Sequence, residues 1–239
     1  NRVYGPGVAD NSTGVAGLLM LAEVLREFEL RTGRDIWFVA NIAEEGLGDL
    51  KGMRAVVERF GAEAIYLVIE GGSFGHIVHR AIGVNRFRLD VRAAGGHSWA
   101  DFGQTSAIHV LGRMIAAIDQ LEVTSFPKTT YNVGVIEGGT SINTIAETAS
   151  LLLDLRSEDN VRLSQLVEQV RKIVARFNGH EKVSVTMTQI GDRPAGQIGR
   201  DSQLVRWAGD ALWVVGCRRI EYGASSTDAN IPLSLGCNA

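Results

Sequence analysis

The chain has 239 residues, 45% of them hydrophobic and 21% charged, which is ordinary globular composition and excludes a disordered chain or a coiled coil. Its 24 basic residues do not outnumber its 27 acidic ones, and the net charge of −3 gives no reason to expect a nucleic-acid partner. No uninterrupted apolar run approaches the ~20 residues that cross a bilayer, so no membrane span is predicted.

The first third of the chain alternates helical and strand patterns. Several N-cap side chains at residues 10–13 precede apolar residues at helical spacing, which predicts a helix ending near Phe28. Residues 36–40 and 64–69 are continuous apolar runs, typical of strands buried on both faces. A second helix is predicted over 49–60. This order predicts a parallel sheet covered by helices.

The pattern changes near residue 84, where apolar and charged residues begin to alternate. The following predicted elements are a helix over 105–121, strands over 130–136 and 148–155, a helix over 161–177 and a strand over 183–188. The order β-α-β-β-α-β predicts a ferredoxin-like unit over residues 83–192. It interrupts an α/β domain formed by residues 1–82 and 193–239, in which a further helix and a strand over 219–222 follow Pro194.

The ends and the cysteines bear on the context of the chain. It begins at Asn1 without methionine and stops directly after an apolar stretch, so we expect an interior piece of a longer protein. Cys217 and Cys237 fit neither a disulfide framework nor a zinc knuckle. They favour a reducing compartment, and the predicted location is cytoplasmic.

Acidic residues recur where predicted strands end or helices begin. Asp10 precedes the first helix, Glu44 and Glu45 follow the first buried strand, and Glu70 ends the second. Carboxyl ends of parallel strands share one edge of a sheet, so these acids are expected to converge there. Converging carboxylates repel one another and favour a bound cation. One glutamate of the pair could then bind metal while the other acts as general base towards metal-bound water. The alternative is that they cap helices and stay solvated.

Among the histidines, His97 has the most suggestive surroundings. Two glycines lead into it, which makes a loop where both backbone and imidazole can approach a ligand. His109 is interpreted as structural and His180 as a solvated cap. The chain has no G-x-S-x-G elbow, which leaves little support for Ser/His/Asp catalysis.

Taken together, five segments resemble the M20 family of zinc-dependent amidohydrolases and peptidases. That family includes acetylornithine deacetylase, succinyl-diaminopimelate desuccinylase, carboxypeptidase G2 and peptidase T. The matching segments, in family order along the chain, are residues 7–16, 41–46, 95–99, 138–145 and 226–232. The resemblance implies a split catalytic α/β domain with an inserted ferredoxin-like lid and dimerisation domain.

For the metal site, the resemblance implies two Zn²⁺ per subunit, with Co²⁺ or Mn²⁺ as substitutes. Asp10 matches the carboxylate that bridges the two ions, Glu45 and Glu70 match terminal ligands, and Glu44 matches the general base. Every visible ligand is a carboxylate, whereas zinc prefers to include nitrogen or sulfur. Further histidine ligands are therefore expected outside this chain, and the piece alone is expected to be inactive.

For the lid, the resemblance implies that His97 helps to hold the developing oxyanion and that Asn143 and Arg193 contact the substrate. The substrate class is a small peptide or an N-acyl amino acid, and a homodimer is expected through residues 83–192. Two alternatives remain open. One is a metal-free binding or dimerisation module of the same fold, and the other is a generic α/β protein whose acids are helix caps.

Overall fold

The computed structural model describes residues 4–179 and 182–239, so His180 lies outside the described residues. A single π-type turn, Val8–Ser12, precedes the first helix. The helices are α1 (Thr13–Glu27), α2 (Lys51–Phe60), α3 (Ala107–Ile118), α4 (Asn160–Phe177), α5 (Gln203–Val214) and α6 (Asn230–Ser234). The strands are β1 (His76–Ala81), β2 (Gly83–Arg92), β3 (Gly96–His97), β4 (Thr129–Gly138), β5 (Thr144–Ile145), β6 (Thr148–Ser157), β7 (Ser184–Arg193), β8 (Gly196–Gln197) and β9 (Glu221–Ser225).

The chain divides into two compact units. Unit 1 comprises Asn1–Arg80 together with Gln197–Ala239, and unit 2 comprises Ala81–Gly196. The inserted segment proposed from the sequence, residues 83–192, lies inside unit 2, which is slightly wider at both ends.

Unit 2 has the β-α-β-β-α-β order that the sequence predicts. Its main sheet has the strand order β4–β6–β2–β7, and each neighbouring pair is antiparallel. The alternation in β2 explains how the sheet is covered: Phe87, Leu89 and Val91 are buried, whereas Arg88 and Arg92 are exposed. Because side chains alternate across a strand, one face of this sheet is apolar and the other polar.

Helices α3 and α4 cover the apolar face of that sheet. Each has a stripe of buried residues at helical spacing: α3 contributes Ala107, Val110, Leu111, Met114 and Ile118, and α4 contributes Leu163, Leu166, Val167, Val170, Ile173 and Val174. These stripes and the sheet form one continuous core. Helix α4 begins where the Asp159 side chain accepts a 2.8 Å hydrogen bond from the Arg162 N–H, an ordinary N-cap. A second, two-stranded sheet pairs β3 with β5.

Unit 1 has a three-stranded sheet in the order β8–β1–β9 and a small core. That core joins α2 to α6 and consists of Leu50, Met53, Val57, Tyr66, Ile231 and Cys237. Both cysteines of the chain, Cys217 and Cys237, are buried and free.

The two buried strands predicted over residues 36–40 and 64–69 are wrong. Neither segment is a strand. Residues 36–40 are exposed, with Trp37 at 62%, and in 64–69 exposed side chains such as Leu67, at 73%, alternate with the buried Tyr66. A strand is stabilised by ladder hydrogen bonds to neighbours. Here the second segment has one parallel bridge, between Ile65 and Asn238, with the Tyr66 N–H donating to the Asn238 carbonyl at 2.8 Å. A single bridge does not make a sheet.

The first helical segment of unit 1 exposes several large apolar side chains. Val8–Glu27 is long and apolar enough to cross a membrane by length and composition alone, with 6% of its most apolar stretch buried, which is weak evidence for a span. The backbone of Asp10 and Asn11 is non-helical, so the continuous helix is the 15 residues of α1. At 1.5 Å per residue that helix is about 22 Å long, short of the ~30 Å hydrocarbon core.

Candidate active site

Asp10 and Glu70, which the sequence analysis groups together, lie side by side in unit 1. The backbone of Gly71 packs against Asp10: a Cβ at position 71 would lie 3.1 Å from the Asp10 Cβ and 3.2 Å from the Ala9 carbonyl oxygen. The Asp10 side chain also hydrogen-bonds to Glu70. A hydrogen bond between two carboxyl groups requires a proton on one of them.

Asn11 holds this arrangement together, and sequence reasoning noted it only as one of several candidate helix caps. Its Oδ1 accepts the Gly14 N–H at 3.0 Å in the first turn of α1, while its Nδ2 donates to Glu70 Oε1 at 3.3 Å and to the Ile69 carbonyl. Both ends of one amide are used. The side chain therefore ties the start of α1 to the segment that carries Glu70.

The surroundings of Glu70 favour its neutral form. Burial raises the pKa of this carboxyl from 4.5 to about 7. The Gly71 N–H opposes the increase, whereas the charges of Glu44 and Asp10 and the hydrogen bond that protonated Glu70 donates to Asp10 add to it. Two acids from other segments, Glu44 and Asp10, thus act on the carboxyl group of Glu70. A group balanced near neutral pH in such surroundings is a candidate for a functional site.

Glu44 and Glu45 sit in a tight loop between residue 41 and α2. The Gly48 N–H donates to the Glu45 carbonyl at 2.9 Å, and the Leu50 N–H donates to the Ala43 carbonyl at 3.0 Å. Glu44 is half-buried and Glu45 is exposed. Of the two neighbours, Glu44 is the one whose charge acts on Glu70.

Asn41 anchors the start of this loop, a contact that sequence reasoning missed. Its Nδ2 donates to Oδ2 of Asp228 at 2.8 Å, although the two residues are 187 positions apart. Asp228 is 6% exposed, within a buried loop where the Thr227 N–H donates to Asn230 Oδ1 at 2.8 Å. The order Ser-Thr-Asp-Ala-Asn in the sequence marks this loop, but nothing local to it points to residue 41.

The fit of these acids to a metal ion is partial. Across residues 4–179 and 182–239, no three or more His, Cys, Asp or Glu side chains are grouped to hold a metal ion. The acids that do approach one another are all carboxylates, whereas zinc prefers sites that include nitrogen or sulfur. Burial, and after it the charges of Glu44 and Asp10, raise the pKa of Glu70, and a bound cation would relieve the repulsion among these carboxyl groups.

Unit 2 brings together two of the three predicted lid residues. His97 in β3 pairs with Thr144 in β5, and the Ser98 N–H donates to the Asn143 carbonyl at 2.9 Å. His97 and Asn143 are therefore neighbours, and both are exposed. Arg193 is at the end of β7, opposite Val84 of β2, and is only 5% exposed.

Comparison with known proteins divides the chain in a similar way. The family model for the peptidase dimerisation domain of M20 enzymes matches residues 81–182, and the model for peptidase family M28 matches residues 1–74. A peptidase M20 domain-containing protein from Schizosaccharomyces pombe is 27% identical over 202 residues, 79% of this chain and 46% of that protein. In sequence, this chain is similar to the M20 peptidases.

A second similar sequence is the acetylornithine deacetylase of Myxococcus xanthus, which is 26% identical over 88% of this chain and 57% of its own length. The chain thus spans about half the length of the curated relatives that it matches.

Solved structures share the fold. A tripeptidase from Staphylococcus aureus superposes with a TM-score of 0.77 at 23% identity, covering 98% of this chain and 63% of that one. The aminopeptidase PepT from Bacillus cereus gives 0.72 at 24% identity, covering 94% and 60%. The α/β fold with an inserted lid domain, expected from the sequence, is confirmed.

Proposed function

We propose that the protein to which this chain belongs hydrolyses an amide bond in a small peptide or an N-acyl amino acid. The observation that carries the proposal is the convergence of Asp10, Glu44 and Glu70 in unit 1, on a chain related to peptidases. The similar proteins include a deacetylase, a tripeptidase and an aminopeptidase, names that describe the cleavage of such bonds, and this supports the substrate class.

Glu44 is the residue that we assign as general base. It removes a proton from the attacking water and returns it to the leaving amine, so that no net proton is consumed. General acid–base transfer by a positioned carboxylate contributes about 10²–10⁴-fold. Glu44 is half-buried and lies close enough to Glu70 to raise its pKa, which supports a place beside the acids and not in bulk solvent.

Asp10, Glu45 and Glu70 are the residues that would hold zinc, two ions per subunit, with Co²⁺ or Mn²⁺ as substitutes. A bound divalent cation would supply Lewis acidity towards the scissile carbonyl. Because the donors present are carboxylates alone, histidine ligands from outside these 239 residues would complete the centre. The 239-residue chain by itself is then expected to bind zinc weakly and to be inactive.

His97, Asn143 and Arg193 are proposed to contact the substrate from unit 2. The match of residues 81–182 to a peptidase dimerisation domain supports self-association through this unit, and we propose a homodimer. Sedimentation of the chain at increasing concentration tests this directly, and a monomer throughout would contradict it. A cytoplasmic location, without a membrane or nucleic-acid partner, stays a prediction.

The test of the catalytic assignment is Glu44→Gln in the full-length protein. Turnover is expected to fall by at least ~10²-fold with the metal content unchanged, since the substitution removes the base and keeps the shape. Glu63→Gln, a change to an exposed glutamate of the same unit, is the matched control and should leave turnover as it was. Unchanged turnover in Glu44→Gln would remove this residue from the mechanism.

One observation favours a second candidate, a metal-free binding or dimerisation module. It is the lack of a group of three potential metal ligands within the part of the chain that the structure describes. Metal analysis of the full-length protein separates the two, together with a screen against N-acyl amino acids, dipeptides and tripeptides. Stoichiometric metal with turnover supports the hydrolase, and neither metal nor turnover supports the module.

A further inference from the structure

The turn that follows β3 folds back onto the imidazole of His97. The backbone N–H groups of Trp99 and Ala100 both donate to Nδ1 of this ring, each at 3.3 Å. A ring nitrogen that accepts hydrogen bonds uses its lone pair and carries no proton. In the neutral imidazole the proton must then be on the other nitrogen, Nε2.

Asp101 closes this turn from the other side. Its Oδ2 accepts the His97 N–H at 2.7 Å, and its own N–H donates to the His97 carbonyl at 2.9 Å. The close approach requires glycine at position 96, where φ is +142° and a Cβ would lie 2.7 Å from the Asp101 Cβ. Residues 96–101 therefore form a small, closed structure around the histidine.

The neighbouring Asn143 is oriented in a similar way. The Ser141 hydroxyl donates to Asn143 Oδ1 at 2.9 Å, and Ser141 and Thr144 share a 2.6 Å hydrogen bond between their hydroxyl groups. The acceptor atom of the amide is thus occupied within its own loop, which makes Nδ2 the end offered to a ligand. His97 and Asn143, on neighbouring backbone segments, thus each have the acceptor atom of the side chain used locally.

We infer that the turn fixes neutral His97 as its Nε2–H tautomer, and that Asp101 is the positioning residue that maintains it. This rests on the proposed function and deepens it, because it specifies what His97 does there. A histidine in this tautomer is a hydrogen-bond donor to negative charge that develops on a carbonyl oxygen. Its Nδ1 is engaged by the backbone, so it does not remove protons through that atom.

The tautomer can be measured without substrate or metal. Long-range nitrogen–proton NMR of the uniformly ¹⁵N-labelled 239-residue chain, at a mildly alkaline pH where imidazole is neutral, should show unprotonated Nδ1 and protonated Nε2 at His97. In Asp101→Ala, the Nδ1 signal should shift towards that of a protonated nitrogen, and the Trp99 and Ala100 amides should exchange faster. Asp101→Asn keeps an oxygen acceptor and should retain the wild-type spectrum, as should Glu122→Ala, a change at an exposed acid of the same unit.

Two results would overturn the inference: a proton on Nδ1 in the wild-type chain, or an Asp101→Ala spectrum identical to the wild-type one. Should Asp101→Ala not fold, the wild-type measurement decides the tautomer, and Gly96→Ala, which crowds the same contact, decides the role of Asp101. These readings are independent of Glu44→Gln turnover. The inference about His97 and the proposed hydrolysis can therefore fail separately.

Discussion

Two half-buried carboxyl groups, one in each unit, have opposite electrostatic surroundings. Asp154 on β6 lies between two guanidinium groups, at 2.9 Å from Arg86 Nε and 2.6 Å from Arg156 Nε. Burial by itself would raise the pKa of Asp154, but the hydrogen bonds and charges of Arg156 and Arg86 outweigh it and lower the pKa. Burial raises the pKa of Glu70 in unit 1 to about 7, and there the charges of Glu44 and Asp10 add to the increase instead of opposing it.

The two units also differ in how well their apolar residues are buried. Unit 2 buries a continuous core between its sheet and the helices α3 and α4. Unit 1 has a small core around α2 and α6, and it exposes large apolar side chains along α1, residues 36–42 and residues 65–69. Unit 2 also exposes large apolar side chains, Trp99, Phe102 and Ile142 among them, but these lie outside its continuous core. Unit 1 combines acids that repel one another with apolar side chains that remain exposed to water. A bound ligand would therefore change the electrostatics and the solvent exposure of unit 1 more than those of unit 2.

The largest expected effect tests the difference between the cores. Leu153→Ala removes a side chain that is 1% exposed on β6 and should lower the free energy of unfolding of unit 2 by about 2–5 kcal/mol. Leu67→Ala, at a leucine that is 73% exposed in unit 1, should change stability by less than about 0.5 kcal/mol. Hydrogen exchange measured peptide by peptide reports the stability of each unit separately. Equal losses from the two substitutions would refute the comparison.

The second prediction concerns the buried contact that anchors the Glu44 loop. Asp228→Ala should destabilise unit 1 by about 1.5–3 kcal/mol, the usual range for a hydrogen bond to a charged group. The exchange Asn41→Asp with Asp228→Asn keeps one amide facing one carboxylate and should recover part of that loss. Amide exchange in residues 43–50 reports the effect directly. No recovery in the exchanged pair would show that the 2.8 Å contact between Asn41 and Asp228 is not what stabilises the loop.

A third prediction compares two asparagines that each use both ends of the amide. Asn160 of unit 2 exchanges hydrogen bonds of 2.9 and 2.8 Å with the backbone of Ala195, and Asn11 of unit 1 links Gly14 to Glu70. Each substitution to alanine should cost about 1 kcal/mol. Only Asn11→Ala should also shift the titration of Glu70, followed by carboxyl ¹³C NMR. An unchanged Glu70 titration in that variant would contradict the role given to Asn11.

The smallest expected effects are in the pH dependence of stability. Because the folded-state pKa of Asp154 is lowered, its stabilisation is present above the unfolded value of 3.8 and is lost as pH falls through the folded value. Because the folded-state pKa of Glu70 is raised, its contribution is present below 4.5 and is lost as pH rises through about 7. Asp154→Asn should therefore weaken unit 2 at neutral pH and less at acid pH. Glu70→Gln should flatten the decline of unit 1 stability between these two pH values.

Thermal unfolding of both variants across this pH range gives the slope of stability against pH. Each slope is compared with that of the wild-type chain, so that the contributions of other titrating groups cancel. Slopes of the same sign for the two substitutions would contradict the opposite surroundings of the two carboxyl groups.

The sequence by itself determined unit 2 and the choice of acids. Alternation in β2 and the 3.6-residue stripes of α3 and α4 are local patterns, and burying them against one another permits few arrangements. The acids of unit 1 are candidates because of their positions beside helices and apolar runs. The reason given for their convergence, strands ending at one sheet edge, was wrong for residues 36–40 and 64–69, since an apolar run becomes a strand only where a neighbour completes its hydrogen bonds.

Only the tertiary structure decided which side chains meet. The bond from Asn41 to Asp228 spans 187 positions, and Asn11 reaches Glu70 across 59, distances over which no local pattern carries information. The tautomer of His97 likewise depends on the folded turn, where two backbone N–H groups donate to one ring nitrogen. Local pattern fixes where a residue lies along its own element, whereas pKa, tautomer and hydrogen-bond partner depend on what other segments bring to it, because electrostatic and hydrogen-bond energies act over a few ångströms in space.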